Sequence, residues 1–326
     1  MKIVITGAGG VLGQMLARAL IARGGIAREP GAKSDLTELV LVDRVFPPER
    51  LEDSRVQYET GDVGDVSLLR RVVAADTGAV FHLAAVVSAG AEADFDLGMG
   101  VNVDGTRAVL EAGRRLAAPP RLVFTSSVAA FGGDLPNVVL DWTAATPQSS
   151  YGTQKVIGEL LVNDYSRKGY IDGRTVRLPT IVVRPGKPNR AASGFMSSIL
   201  REPLNGEPAL CPVPADTRMW ILSPERAVDA LIHAVELPGA ALGANRTINA
   251  PGVTVSVAQA LAALERIAGR ETAARVRIER DPSTEKIVLS WPAAFATERA
   301  DRLGFKADSG IDAIIHAHMR TLRKAR

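Results

Sequence analysis

The stretch Lys2-Ile3-Val4-Ile5-Thr6-Gly7-Ala8-Gly9-Gly10-Val11-Leu12-Gly13-Gln14 decides the fold. Residues 3–5 form a short apolar run, as in a buried strand. Residues 11–23 follow helical spacing, with Leu12, Leu16, Ala19 and Leu20 on one face. Between strand and helix fall Gly7, Gly10 and Gly13. Glycine suits such a junction when the turn is tight, the backbone must approach a pyrophosphate, and helix and strand pack closely. The helix N-terminus adds unpaired N–H groups and positive dipole character. The junction is not a P-loop, because Gln14 stands where the phosphate-binding lysine would follow Gly13. By itself the motif also fits a glycine-rich turn that binds nothing.

The rest of the chain continues the alternation. A polar stretch containing Gly and Pro spans residues 24–37, and Leu39-Val40-Leu41-Val42 then reads as a parallel strand buried on both faces, ending in Asp43. Further strands are predicted near residues 56–58, 79–83, 121–125 and from 176, with helices over 67–75, 102–116 and 151–168. This order predicts an α/β fold, a Rossmann-type doubly wound parallel sheet with helices on both faces. Beyond residue 180 prolines at 185, 188, 203, 208, 212 and 214 break the pattern, and helices are expected over 256–268 and 310–323. The expected organisation is a dinucleotide-binding domain over residues 1–180, carrying the reactive site, and a smaller substrate-binding lobe over 181–326 that shares its core.

Composition bounds the function. Apolar residues make up 46% and charged residues 23% of 326, as in a soluble globular protein. A net charge of +3 is too small to suggest nucleic-acid binding, and the basic end Arg320, Arg323, Lys324, Arg326 reads as a solvated helix terminus. Cys211 is the single cysteine, which excludes an intrachain disulfide and fits a reducing, cytoplasmic setting. Glycines at 7, 9 and 10 interrupt any signal-like apolar core, and no uncharged apolar run reaches the roughly 18 residues of a membrane span. No catalytic metal is expected. His316 and His318 are two apart and face different sides of a helix, while His82 and His233 read as packed residues.

Asp43, at a strand end, suits the adenosine ribose hydroxyls and would repel the extra phosphate of NADP, although Arg44 beside it softens that repulsion. NAD is therefore the expected cofactor. Asp62 with Val63 suits the adenine edge and reads equally as a turn carboxylate, and Leu83-Ala84-Ala85 offers small residues where a backbone nears a cofactor. Tyr151 and Lys155 are one helical turn apart. A tyrosine with an ordinary pKa near 10 needs help to act as a base at neutral pH, and an adjacent ammonium provides it. Ser127, at a strand end, can hydrogen-bond a reacting oxygen.

These motifs together resemble the extended short-chain dehydrogenase/reductase family, also called the NAD-dependent epimerase/dehydratase family. The resemblance rests on the Gly7–Gly13 turn, Asp43, Asp62-Val63, His82-Leu83-Ala84-Ala85, Asn102-Val103-Asp104-Gly105-Thr106, Thr125-Ser126-Ser127 through Gly132, and Tyr151-Gly152-Thr153-Gln154-Lys155. It implies Tyr151 as acid/base, Lys155 as its electrostatic partner, and Ser127 as the orienting hydroxyl, with Ser126 the alternative. It implies cofactor contacts from Gly7, Gly10, Val11, Leu12, Gly13, Asp43, Asp62, Val63, Leu83, Ala84, Ala85, Asn102, Tyr151, Lys155 and Pro179. It also implies a homodimer formed through the helices near 102–116 and 151–168. Two departures argue against a nucleotide-sugar substrate: Phe131 stands where such enzymes carry Tyr, and residues 178–190 replace their Asn-containing, Gly-Pro-rich segment. Arg184, Lys187, Arg190 and Arg218 instead offer cations, and guanidinium groups suit a carboxylate; each is also readable as solvated loop charge. Ser88 is a further substrate-contact candidate. The run 179–190 with Cys211-Pro212-Val213-Pro214 resembles a subgroup that oxidises the C2 hydroxyl of a four-carbon sugar acid, D-erythronate, with NAD. The competing expectations are a sugar-nucleotide epimerase or dehydratase, a uronate dehydrogenase, and an NAD-sensing protein without turnover.

Overall fold

The computed structural model describes residues 1–29, 32–186 and 192–324. Its main sheet has seven strands, here β1 (Lys2–Thr6), β2 (Glu38–Asp43), β3 (Val56–Thr60), β4 (Thr77–His82), β5 (Arg121–Ser127), β6 (Asp172–Leu178) and β7 (Thr247–Asn249). Their order is β3-β2-β1-β4-β5-β6-β7, and every pairing is parallel. This is the doubly wound order, with the reversal of direction between β1 and β4 opening a crevice at the carboxyl ends of the strands.

The apolar runs explain the layers. Alternate residues of one strand face opposite sides of the sheet. Ile3, Ile5, Leu39 and Leu41 pack on one face with Leu16 and Leu20 of helix Val11–Arg23 and with Ala227, Leu231 and Val235 of helix Pro224–Glu236. Val4, Val40, Val42 and Val80 pack on the other with Leu68, Val109 and Val162 from helices Val66–Val72, Gly105–Arg114 and Ser150–Arg167. A parallel sheet with both faces covered is the environment that continuous Val, Ile and Leu runs require. Both β7 and helix Pro224–Glu236 come from the chain beyond residue 180, so the main core draws on both halves of the sequence. A second apolar cluster joins Val182, Met196, Ile199, Leu200, Cys211, Val255, Leu264, Ile314 and Ile315. Beside it lies a small sheet of Thr180–Ile181, Arg218–Leu222 and Val253–Ser256.

Several boundaries differ from the sequence reading. The polar stretch 24–37 holds an antiparallel strand pair, Gly25–Glu29 with Ala32–Asp35. The expected helix over 102–116 starts earlier, as a π-helical turn Met99–Asp104, and continues as an α-helix only over Gly105–Arg114. The expected helix over 67–75 ends at Val72. Helix Ser150–Arg167 is capped by Ser149, whose hydroxyl accepts from the Gly152 N–H at 3.2 Å. That cap places Tyr151 in the first turn, beside the end of β5.

Candidate active site

A cavity of about 540 Å³ lies at the carboxyl ends of β1 to β6. One end is made of backbone. Gly7 has φ +74°, and a Cβ there would lie 2.5 Å from the Ala84 amide nitrogen; a Cβ on Gly13 would lie 2.4 Å from the Gly7 carbonyl oxygen. Both positions therefore exclude any side chain, and the turn keeps a bare surface at the helix N-terminus. Gly9, not among the glycines assigned to the cofactor from the sequence, is as constrained: a Cβ would lie 2.1 Å from the Val45 carbonyl oxygen. The Gly9 N–H donates to Asp43 Oδ2 at 2.8 Å, and the Arg44 N–H donates to Asp43 Oδ1 at 2.7 Å. The Asp43 carboxylate is thus oriented at the cavity rim. Arg44 leans instead toward Asp62, Nε to Oδ2 at 3.8 Å, with both side chains exposed, so its charge does little to offset that of Asp43. A glycine cradle with no room for a Cβ and an oriented carboxylate fit the pyrophosphate and ribose diol of NAD.

The other end is made of side chains. Ser127, at the end of β5, hydrogen-bonds Tyr151 and accepts from the Ala129 N–H at 3.1 Å. Ser126 donates to buried Glu159, so its hydroxyl is taken up behind the wall. Of the two serines, Ser127 is the one whose hydroxyl meets the tyrosine. Lys155 is buried, its Nζ 5.6 Å from the Tyr151 ring centroid and 4.8 Å from that of Phe124. Burial pushes the Tyr151 hydroxyl up to about 12, against the downward pull of the Ser127 hydrogen bond and the Arg184 charge. Burial also pushes Lys155 down to about 7, against the upward pull of Glu159. Desolvation favours the neutral form of both groups, and the neighbouring groups oppose it only in part. Arg184 lines the same wall, and burial lowers its pKa, with the Arg201 charge acting in the same direction and Tyr151 against it. His82 is packed between Thr6 Oγ1 (2.6 Å) and Thr106 Oγ1 (2.9 Å), and burial pushes it down to about 3, so it is neutral.

The cavity gathers nearly all the residues singled out in the sequence. Gly7, Gly10, Val11, Leu12, Gly13, Asp43, Asp62, Val63, Leu83, Ala84, Ala85 and Pro179 line it, as do Ser88, Ser126, Ser127, Tyr151, Lys155 and Arg184. Two do not. Asn102 stands behind the wall, where it accepts from the Val86 N–H (2.8 Å) and donates to the Val86 carbonyl (3.0 Å) and to Gln154 Oε1 (2.7 Å). It shapes the lining residue Val86 and offers nothing to a cofactor directly. Arg218 is exposed at the start of its strand, paired with Ser256. It lies three residues before Ile221, the position that pairs with Thr180 at the cavity; at about 3.3 Å per residue that is about 10 Å away. Lys187 and Arg190 fall outside the described residues. Trp291 and Ser193 line the cavity without having been singled out. No motif marks them, because they come from chain segments far from the Tyr151 helix. Among the described residues no cluster of His, Cys, Asp or Glu is arranged for a metal, and no helix is long and apolar enough to cross a membrane.

The model of the NAD dependent epimerase/dehydratase family matches residues 3–249, and the chain belongs to that family. More particularly, it is 54% identical over 319 residues to a D-erythronate dehydrogenase of Cupriavidus necator, with 98% of each chain covered. It is 46% identical to a D-erythronate dehydrogenase of Haemophilus influenzae, covering 97% of this chain and 98% of that one. A crystal structure of a nucleoside-diphosphate-sugar epimerase from Agrobacterium tumefaciens superposes with a TM-score of 0.93 at 40% identity, covering 100% of this chain and 95% of that one.

Proposed function

We propose that the protein oxidises the C2 hydroxyl of a small sugar acid, D-erythronate, to 2-oxo-D-erythronate with NAD. The observation that carries this reading is that Arg184 and the Ser127–Tyr151 pair share one cavity wall. A tyrosine base and a guanidinium in one desolvated space suit a substrate with an alcohol to oxidise and a carboxylate to hold. The names of the two dehydrogenase relatives point the same way.

In this mechanism Ser127 orients the C2 oxygen and Tyr151, as phenolate, takes its proton. Lys155 and Arg184 supply the positive charge that favours the phenolate. Arg184 also pins the substrate carboxylate, while Ser88, Ser193 and Trp291 border the carbon chain. Gly7, Gly10 and Gly13 hold the pyrophosphate of NAD, Asp43 its adenosine ribose, and Asp62 with Val63 the adenine. When bound, NAD supplies the hydride acceptor for C2. We further propose a homodimer. Phe95, Leu97 and Leu160 are large exposed apolar residues on the contacting helices Phe95–Gly98 and Ser150–Arg167, a face that a second copy would cover. Light scattering should give the mass of two chains, and a monomer would remove this part.

The Agrobacterium epimerase structure keeps a nucleotide-sugar reading in play, so the deciding assay offers both. NADH formation is followed with NAD or NADP and erythronate, threonate, glycerate or galacturonate, and UDP-glucose is tested in a coupled epimerase assay. Turnover of erythronate with NAD is the expected result. Preference for galacturonate would make the protein a uronate dehydrogenase. Conversion of UDP-glucose with silence on every acid would overturn the proposal, and NAD binding without any turnover would favour a sensor.

A further inference from the structure

The Ser126 hydroxyl, next to the serine that meets Tyr151, and the Lys155 ammonium share one anionic neighbour outside the cavity lining. Glu159 lies one helical turn beyond Lys155, and both are buried. Its carboxylate accepts from the Ser126 hydroxyl. It also accepts a two-pronged approach from Arg177 of β6, Nε to Oε1 at 2.8 Å and Nη2 to Oε2 at 2.6 Å. The Arg177 guanidinium reaches Asn249 Oδ1 of β7 at 3.3 Å and lies over the Phe131 ring at 4.6 Å. One carboxylate therefore ties β5, β6 and the Tyr151 helix together directly beneath the site. A buried ion pair is seldom worth its desolvation as a source of stability alone, which calls for a reason why charge is kept here.

We propose that Glu159, clamped by Arg177, is a positioning residue for the reaction: it takes up the Ser126 hydroxyl, so that Ser127 alone meets Tyr151, and it provides the negative charge that holds Lys155 in its ammonium form. This rests on the reading of Tyr151 and Lys155 as the acid/base pair. The groups around Lys155 support it, with Glu159 buried one turn away on the same helix. Tyr151 and Glu159 come from its own helix, neutral His82 from β4, and the Phe124 ring from β5. Arg177 stands behind Glu159, and Arg184 acts on Tyr151. Among them Glu159 is the anion that acts on Lys155.

The test is the pH profile of kcat/KM for erythronate oxidation in Glu159→Gln, Glu159→Asp and the double variant Glu159→Gln/Arg177→Met, with NAD affinity and Tm measured alongside. Glu159→Gln removes the anion, so Lys155 gives up its proton at lower pH. The limb set by Lys155 should move down by about one unit, and turnover near neutrality should fall about fivefold. Glu159→Asp keeps the charge and should keep the wild-type limb. The double variant removes the Arg177 guanidinium that Glu159→Gln would leave buried without its carboxylate, so it should fold even if the single variant fails to, yet still show the displaced limb. A double variant with the wild-type rate and limb, or a Glu159→Gln protein with an unmoved limb, would reduce Glu159 to a structural clamp and overturn the proposal. Tyr151→Phe separates the two failures. If it turns over normally, the acid/base reading itself falls; if it is inactive while the Glu159 variants keep their limb, only the role of Glu159 falls.

Discussion

The two ends of the cavity are built by different means. The cofactor end is backbone: Gly7, Gly9 and Gly13 leave no space for a Cβ, and the Asp43 carboxylate is held by two N–H groups within and beside that turn. The end proposed for catalysis is side chain: Ser127, Tyr151 and Lys155 come from β5 and one helix, while Arg184, Ser193 and Trp291 arrive from beyond residue 180. In the proposed roles, the first end meets what every NAD molecule presents and so depends on local chain geometry, whereas the second matches one substrate and depends on how remote segments are brought together. Desolvation acts at the second end, where it pushes Tyr151 and Lys155 toward neutrality, so that each added charge has leverage on them.

The sharpest break in this comparison is Tyr151→Phe. Loss of the base should lower kcat about a thousandfold, while NAD affinity, governed by the other end, stays within about twofold by titration. A Tyr151→Phe protein with near-normal turnover would remove the catalytic assignment. Gly13→Ala attacks the opposite end. Its Cβ must displace the Gly7 carbonyl, so the NAD Kd should rise at least tenfold, for about 1–3 kcal/mol of strain, and an unchanged Kd in calorimetry would contradict the cradle.

Smaller effects sharpen the substrate end. Arg184→Ala should raise KM for the acid about tenfold or more, the loss expected for a charge-assisted hydrogen bond of about 1.5–3 kcal/mol, with NAD affinity unchanged. Arg218→Ala, exposed and away from the cavity, should leave KM and kcat alike; the reverse result for the two arginines would return the carboxylate site to Arg218. Ser127→Ala gives the finest distinction. The Ser127 hydrogen bond pulls the Tyr151 pKa down, so without it the phenolate forms at higher pH. The limb of the oxidation profile set by Tyr151 should then shift upward by about one unit or less, and a downward or absent shift would argue against the bond.

Much of this was legible in the chain because it is local. The β1 turn needs three glycines within seven residues, the buried strands need continuous apolar runs, and Tyr151 with Lys155 needs only one helical turn. Those requirements lie within the reach of neighbouring residues, so the sequence by itself determined the doubly wound sheet, the dinucleotide cradle and the Tyr151–Lys155 pair. Tertiary structure decided what depends on facing and distance. It separated Ser126 from Ser127, adjacent in sequence but differing in which way the hydroxyl goes, because Glu159 and Arg177 approach one of them from behind. It moved Asn102 behind the wall and Arg218 to an exposed strand end, and it brought Trp291 and Ser193 into the cavity. A strand alternates its faces and a loop carries no period, so only the packing of the chain beyond residue 180 against the sheet determines which of its side chains reach the site.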